Sequence, residues 1–147
     1  MKSIKKAASI FTAAAAALMS LTGCGTGGSS EAIKIGAIGP VTGAAAIYGQ
    51  AVKNGAEIAI EEVNAKGELK FELKFQDDEN DAEKAVNAYN NLKDWGMQIS
   101  LGTVTTQPCI AVSTESDADH IFALTPSASS TDVLGGQPDK NGNVTIQ

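Results

Sequence analysis

Arginine is absent from the 147-residue sequence; all 11 basic residues are lysine, set against 17 acidic residues for a net charge of −6. Nucleic-acid binding normally requires a basic stripe with arginine side chains on phosphates, so no nucleic acid is expected as a partner. With one histidine, His120, and two cysteines, Cys24 and Cys109, a zinc site would depend on carboxylates. A Ser-His-Asp or Cys-His catalytic set has only this histidine to use. We therefore expect no metal, no cofactor and no catalytic residue.

The first 23 residues are predicted to be a leader and not part of the fold. A basic start, Met1–Lys6, precedes the uncharged, Ala-rich run Ala7–Leu21, which is shorter than the about 20 apolar residues that span a bilayer. The run ends in Leu-Thr-Gly before Cys24 and resembles the lipobox of bacterial lipoproteins. That resemblance implies cleavage before Cys24 and a diacylglyceryl group on its thiol, with ordinary secretory cleavage as the alternative.

Residues 24–31 are rich in Gly and Ser and are predicted to be a flexible tether, because such a segment cannot bury apolar surface. The folded part is then expected at 32–147. If Cys24 is lipidated, Cys109 has no partner for a disulfide. Because it lies in an apolar helical stretch, we expect Cys109 to be a small buried hydrophobic residue.

Strand and helix patterns alternate along the rest of the chain. The predicted strands are 32–38, 69–75, 97–101 and 120–124; the predicted helices are 45–65, a second between an Asn80 or Asp81 cap and Gly96, and 108–116. A short helical turn is expected at 131–134 and the start of a strand at 143–147. Alternation of this kind predicts βαβ units, hence an α/β, Rossmann-like doubly wound fold with a parallel sheet.

Ligands of such sheets bind beyond the carboxyl ends of the strands. Here those ends carry hydroxyl groups and almost no charge, in 102–106 after the third strand and 125–130 after the fourth. Hydroxyls and free amides at a helix N-terminus suit a small anion such as a carboxylate. Either loop alone is explained by helix capping; two on adjacent strands favour a binding site.

The sequence disfavours two other kinds of site, a dinucleotide-binding loop and a calcium loop. The glycines of 36–43 do not fit the spacing of a dinucleotide-binding loop, although Asp77 or Asp78 could have served as its ribose partner. The acidic run 77–81 lacks the spacing and the terminal glutamate of an EF-hand calcium loop. A strand end that leads into a helix cap explains the acidic run more simply.

Several short motifs in joint order resemble the start of a type I periplasmic binding protein, closest to the leucine/isoleucine/valine-binding branch. They are Ile35–Gly43, Tyr48-Gly49, Asn54–Ala56, Glu61–Gly67, Asp77-Asp78 and Thr125–Ser129, and the similarity covers essentially all of 32–134. The resemblance implies a receptor of an ABC importer, with two α/β lobes that enclose the ligand. The chain would then be most of the first lobe, with permease subunits and a small amino-acid ligand as partners.

The resemblance also implies roles for individual residues. Thr106, with Thr105 beside it, falls where a hydroxyl holds the amino-acid carboxylate. The carbonyl of Ser127 and the hydroxyl of Ser129, which flank Ala128, fall where the ammonium is held. Tyr48 falls where an aromatic ring lines the pocket.

Two departures from the family pattern concern the ligand. The loop 105–108 replaces a commoner small-residue loop, and Ser129 stands where threonine is frequent, so the ligand can differ from a branched aliphatic amino acid. Length is the larger departure, and it leads us to expect a fragment or truncated product without the second lobe.

The competing functions are an extracellular sensor of the same fold and a secreted Rossmann-like enzyme. If the protein is the receptor of an importer, as we favour, we expect it to be exported and anchored by lipid on the outer face of the cell membrane.

Overall fold

The computed structural model describes residues 31–67 and 69–134. The predicted leader, Cys24, most of the tether and the predicted strand at 143–147 lie outside the described residues. Within them the elements are β1 (Ile33–Gly39), α1 (Ala46–Lys66), β2 (Phe71–Asp77), α2 (Ala82–Asp94), β3 (Ile99–Thr103), α3 (Thr106–Ala118), β4 (Phe122–Leu124) and a 3-10 helix (Thr131–Leu134). The predicted alternation and the final helical turn are confirmed.

The four strands form one parallel sheet in the order β2-β1-β3-β4. The chain therefore leaves β1 toward β2 on one side and returns to β3 on the other. In an open parallel sheet, the point where the strand order reverses leaves a crevice at the carboxyl ends. This crevice lies between the ends of β1 and β3.

The helices divide between the two faces of the sheet, which confirms the doubly wound α/β fold. Helices α2 and α3 pack against each other and cover one face, whereas α1 packs on β1 and β2 from the other. The main core lies on the α2–α3 side and consists of Ile38, Ala85, Ala88, Tyr89, Leu92, Met97 and Val112. Cys109, on α3, is also buried, as predicted.

Local signals set the helix ends. Of the two predicted caps, Asp81 is the residue that begins α2, because its Oδ1 accepts a hydrogen bond from the Lys84 amide at 2.9 Å. Helix α1 stops at Gly67, whose φ of 81° lies in the left-handed region that glycine adopts without strain. The start of α2 and the end of α1 therefore lie at the capping residues that the sequence predicted.

Two predicted boundaries were wrong near α3. The helix begins at Thr106 instead of Pro108, because the first helical amides have no partner within the helix and proline is therefore tolerated there. Strand β4 begins at Phe122 instead of His120. His120 adopts a φ of 55° and donates its amide to the Asp117 carbonyl at 3.0 Å, so it belongs to the turn that ends α3.

The middle strands also lie two residues later than predicted. Leu69 is 51% exposed and precedes β2. The Asn64 side chain fixes the start of β2, since its amide group exchanges hydrogen bonds of 2.8 and 2.9 Å with the backbone of Phe71. Met97 precedes β3, and its amide donates to the Leu92 carbonyl at 3.0 Å, closing the α2 turn. Side-chain contacts of this kind are not visible in a hydrophobic pattern.

The predicted apolar face of α1 is only partly covered. Tyr48 is 64% exposed and Val63 is 38% exposed, because α1 packs mainly on β1 and β2 among the described residues. Across residues 31–67 and 69–134, none of the helices combines the length and apolar character that crossing a membrane requires.

Candidate functional site

An open depression of about 280 Å³ lies at the carboxyl edge of the sheet. Residues that follow three different strands line it: Tyr48 after β1, Val104, Thr105 and Thr106 after β3, and Ser127 after β4. None of these five side chains is charged. The depression therefore offers hydroxyl groups, backbone polar groups and one aromatic ring at the reversal of strand order.

The N-terminus of α3 forms one wall. Thr105 is the N-cap residue, with extended backbone (φ −108°, ψ 153°), yet its side chain makes no capping hydrogen bond. Its hydroxyl oxygen is buried and has no partner among the described residues. The first amides of α3 are thus left without a side-chain acceptor, at the end of the helix where the dipole favours an anion.

A second wall is the loop after β4, which hydrogen bonds tie to the loop after β3. The Thr125 hydroxyl donates to the Thr103 carbonyl at 3.0 Å and accepts from the Ala128 amide at 3.1 Å. The Ser127 hydroxyl donates to the Val104 carbonyl. Because the Ser127 hydroxyl is engaged in holding the two loops together, it is the backbone of Ser127 that remains for a ligand.

The sequence-predicted site residues are brought together in part. Tyr48, Thr105, Thr106 and Ser127 share the depression, whereas Ala128 is half-buried and Ser129 is exposed, and neither lines it. Val104, a buried residue between two hydroxyl residues, also lines the depression and was not among the predicted site residues. Its place at the end of β3 was the available clue.

Two carboxyl groups stand close in sequence at the end of β2 without lining the depression. Asp78 is fully buried, and its Oδ2 has no hydrogen-bond partner within residues 31–67 and 69–134. Burial, assisted by the charges of Asp77 and Asp81, raises the pKa of the Asp78 carboxyl despite the Asn80 amide. For Asp77, burial acts to raise the pKa, but hydrogen bonds from Thr42 and nearby amides outweigh it and the net pKa is lowered. Within the described part of the chain, no three His, Cys, Asp or Glu side chains are grouped to hold a metal ion.

Two other depressions lie away from this edge. One of about 520 Å³ runs along β2 and the side of α1, with Lys53 and Glu57 among its lining residues. The other, of about 230 Å³, is wholly apolar and lies beside α1 over β3 and β4. Of these three depressions in the described residues, the one at the strand ends combines open backbone amides with the topology that serves ligand binding.

Residues 32–145 match the family described as periplasmic binding protein. A Brucella melitensis protein named Leu/Ile/Val-binding protein homolog 3 is 38% identical over 104 residues, which cover 69% of this chain and 28% of that protein. The crystal structure of the branched-chain amino acid transporter substrate-binding protein LivJ from Streptococcus pneumoniae, in complex with isoleucine, superposes with a TM-score of 0.68. It is 26% identical, over 74% of this chain and 32% of that one.

A solute-binding protein of an ABC transporter from R. palustris, in complex with benzoate, has a TM-score of 0.61 and 26% identity over 67% of this chain and 28% of its own. The chain thus spans less than a third of the length of the relatives it matches. Since the family match covers most of the chain, the chain belongs to the type I periplasmic binding proteins, in the branched-chain amino acid branch.

Proposed function

We propose that the chain is the first ligand-binding lobe of an exported substrate-binding lipoprotein, which captures a small amino acid and delivers it to the permease of an ABC importer. The observation that carries this proposal is the N-terminus of α3, which opens onto the depression without a side-chain cap. Such a terminus suits a carboxylate. The Brucella relative named for leucine, isoleucine and valine supports branched-chain amino acids as the ligand class.

The proposed contacts divide the ligand into three parts. The amides at the start of α3 and the hydroxyl of Thr106, beside Thr105, hold the carboxylate. The carbonyl of Ser127 and the hydroxyl of Ser129, on either side of Ala128, hold the ammonium. Ser129 lies outside the depression, so this contact requires the loop to close over the ligand. Tyr48 lines the side-chain end.

The test is calorimetry with leucine, isoleucine and valine on a two-lobe protein that carries this lobe. Thr106→Ala is expected to lower affinity roughly ten- to hundredfold, the value of a hydrogen bond to a charged group. Thr106→Ser keeps the hydroxyl and should bind nearly as well. Thr114→Ala removes an exposed hydroxyl from the same helix and is the matched control. Equal affinity of Thr106→Ala and Thr114→Ala contradicts the assignment.

A carboxylate without an ammonium group is the second candidate ligand. It is favoured by a lining that has no charged side chain and one aromatic ring. The R. palustris relative crystallised with benzoate is a precedent within the family. Benzoate in the same calorimetry separates the two, because an amino-acid receptor binds leucine and not benzoate.

Lipid anchoring is proposed through Cys24, on the basic start, the apolar run and the lipobox-like residues before it. Metabolic labelling with a fatty-acid analogue should mark the protein and should fail to mark the Cys24→Ser variant. Equal label in both contradicts anchoring. The sensor alternative is tested by co-purification, since a receptor of an importer should bind permease subunits from the same cells.

A further inference from the structure

The loop that joins β1 to α1, residues 40–45, is held by one carboxylate from the neighbouring strand. Asp77 is the last residue of β2 and pairs in register with Gly39, the last residue of β1. Its Oδ1 accepts from the Val41 amide at 2.9 Å, and its Oδ2 accepts from the Thr42 hydroxyl at 2.6 Å. Oδ1 also accepts from the Glu79 amide at 2.9 Å, which fixes the carboxylate itself.

The same loop is fastened from its other side by the first turns of α1. Gln50 donates from Nε2 to the Val41 carbonyl at 3.0 Å. Gly49 packs so tightly that a Cβ there would lie 1.9 Å from the Pro40 carbonyl oxygen. Pro40 to Thr42 are therefore clamped between the end of β2 and the start of α1.

Tyr48 lies in the first turn of α1, directly after this clamped loop. Its side chain is 64% exposed, so packing does not fix it. Its backbone belongs to the first turn of α1, whose N-cap residue, Ala45, makes no side-chain capping hydrogen bond. The turn is joined to the loop through hydrogen bonds from Ala46 to the Gly43 carbonyl and from Tyr48 to the Ala45 carbonyl.

We infer that Asp77 and Thr42 are positioning residues for ligand binding: they hold the β1–α1 loop so that Tyr48 forms its wall of the depression. This inference rests on the proposed function above. Asp77 touches no part of the depression and acts only through the loop. Thr42→Val removes the hydroxyl at nearly constant shape, whereas Thr42→Ser retains it.

The decisive experiment is a double-mutant cycle between Thr42→Val and Tyr48→Ala, with leucine affinity measured by calorimetry in the two-lobe protein. If the loop is correctly placed only a fifth of the time without the hydroxyl, apparent affinity falls about fivefold. In the Tyr48→Ala background, Thr42→Val should cost nothing more, since residues that act as a unit are not additive. The leucine affinity of Thr42→Ser should be within about twofold of that of the parent. Serine keeps the hydroxyl, so the fraction of molecules with a correctly placed loop is unchanged. The control is Asp81→Asn, which removes a nearby charge and keeps a good cap on α2.

The inference is overturned if Thr42→Val lowers leucine affinity equally in the parent and in the Tyr48→Ala background, or does not lower it in the parent. Amide hydrogen exchange is measured on the same proteins so that the two proposals fail separately. If the parent does not bind leucine, the proposed function has failed, but Thr42→Val must still speed exchange in 41–48 and leave α2 and α3 unchanged. Unaltered exchange in 41–48 overturns the clamp whatever the ligand.

Discussion

The two faces of the sheet use apolar residues in opposite ways. Toward α2 and α3, β1 presents Gly36 beside the core residue Ile38, and a Cβ at Gly36 would lie 2.2 Å from the Met97 sulfur. Close approach lets the helices bury Tyr89 and Leu92 completely. Toward α1 the strands present large side chains, which line the apolar depression: Ile35, Leu73, Ile99, Leu101, Phe122 and Leu124.

Large apolar side chains on a sheet do not make a core by themselves. Helix α1 covers β1 and β2 but leaves Phe122 68% and Leu124 57% exposed on β4. Parallel sheets normally have both faces covered by helices. The stability of this part of the chain should therefore come mainly from the α2–α3 side, and the predictions below test that asymmetry.

The largest effect is expected for Leu92→Ala. Leu92 is fully buried between α2 and the sheet, so its truncation leaves a cavity and should lower the free energy of unfolding by about 2–5 kcal/mol. Leu124→Ala, the same change on the open face, should cost less than about 1 kcal/mol because most of that side chain is already in water. Urea denaturation of the two variants makes the comparison. Equal losses contradict the asymmetry.

Two glycines of α1 offer the next contrast. Gly49→Ala places a methyl group against the Pro40 carbonyl, and such overpacking should cost about 1–3 kcal/mol, because backbone must move. At Gly55 a Cβ meets nothing within 4 Å, and Gly55→Ala should stabilise α1 by about 0.5–1 kcal/mol through helix propensity. Thermal unfolding should shift in opposite directions. A neutral Gly49→Ala shows that α1 is not anchored at Pro40.

The two adjacent carboxyl groups at the end of β2, Asp77 and Asp78, should affect stability in opposite ways as the pH changes. The raised pKa of Asp78 means that its ionised form costs stability at neutral pH, a cost relieved as pH falls through that pKa. The lowered pKa of Asp77 means that its charge stabilises the fold above the ordinary range of about 4 and is lost below it.

Asp78→Asn should therefore stabilise the protein at pH 7, and Asp77→Asn should destabilise it, each by about 1 kcal/mol, the net scale of a typical hydrogen bond. Denaturation at pH 7 and at about pH 4, near the ordinary aspartate pKa, tests the signs. The effect of Asp78→Asn should shrink on acidification first. A loss of stability with Asp78→Asn at pH 7 contradicts the assigned direction.

The order of elements and the parallel sheet were predictable because hydrophobic period and capping residues are local signals. The partial exposure of Tyr48 and Val63 was not, since periodicity shows which residues share a helix face but not whether anything covers it. In the site, the hydroxyl loops after β3 and β4 could be found from strand ends. The contact of Asp77 with Thr42 could not, because it depends on the register that places Gly39 opposite Asp77.

The smallest change in stability is expected for Phe122→Thr, on the open face. Threonine, like phenylalanine, is favoured in strands, and Phe122 is 68% exposed, so the free energy of unfolding should change by less than about 0.5 kcal/mol. Surface behaviour should change more. Exposed apolar patches bind hydrophobic dyes and promote association, so dye fluorescence and self-association in sedimentation should both fall. Ile47→Thr removes a 72% exposed apolar side chain from α1, outside the apolar depression. It should alter dye fluorescence and self-association far less. A loss of more than about 2 kcal/mol for Phe122→Thr, the cost of a core truncation, would show that this face is covered in solution and that the asymmetry is wrong.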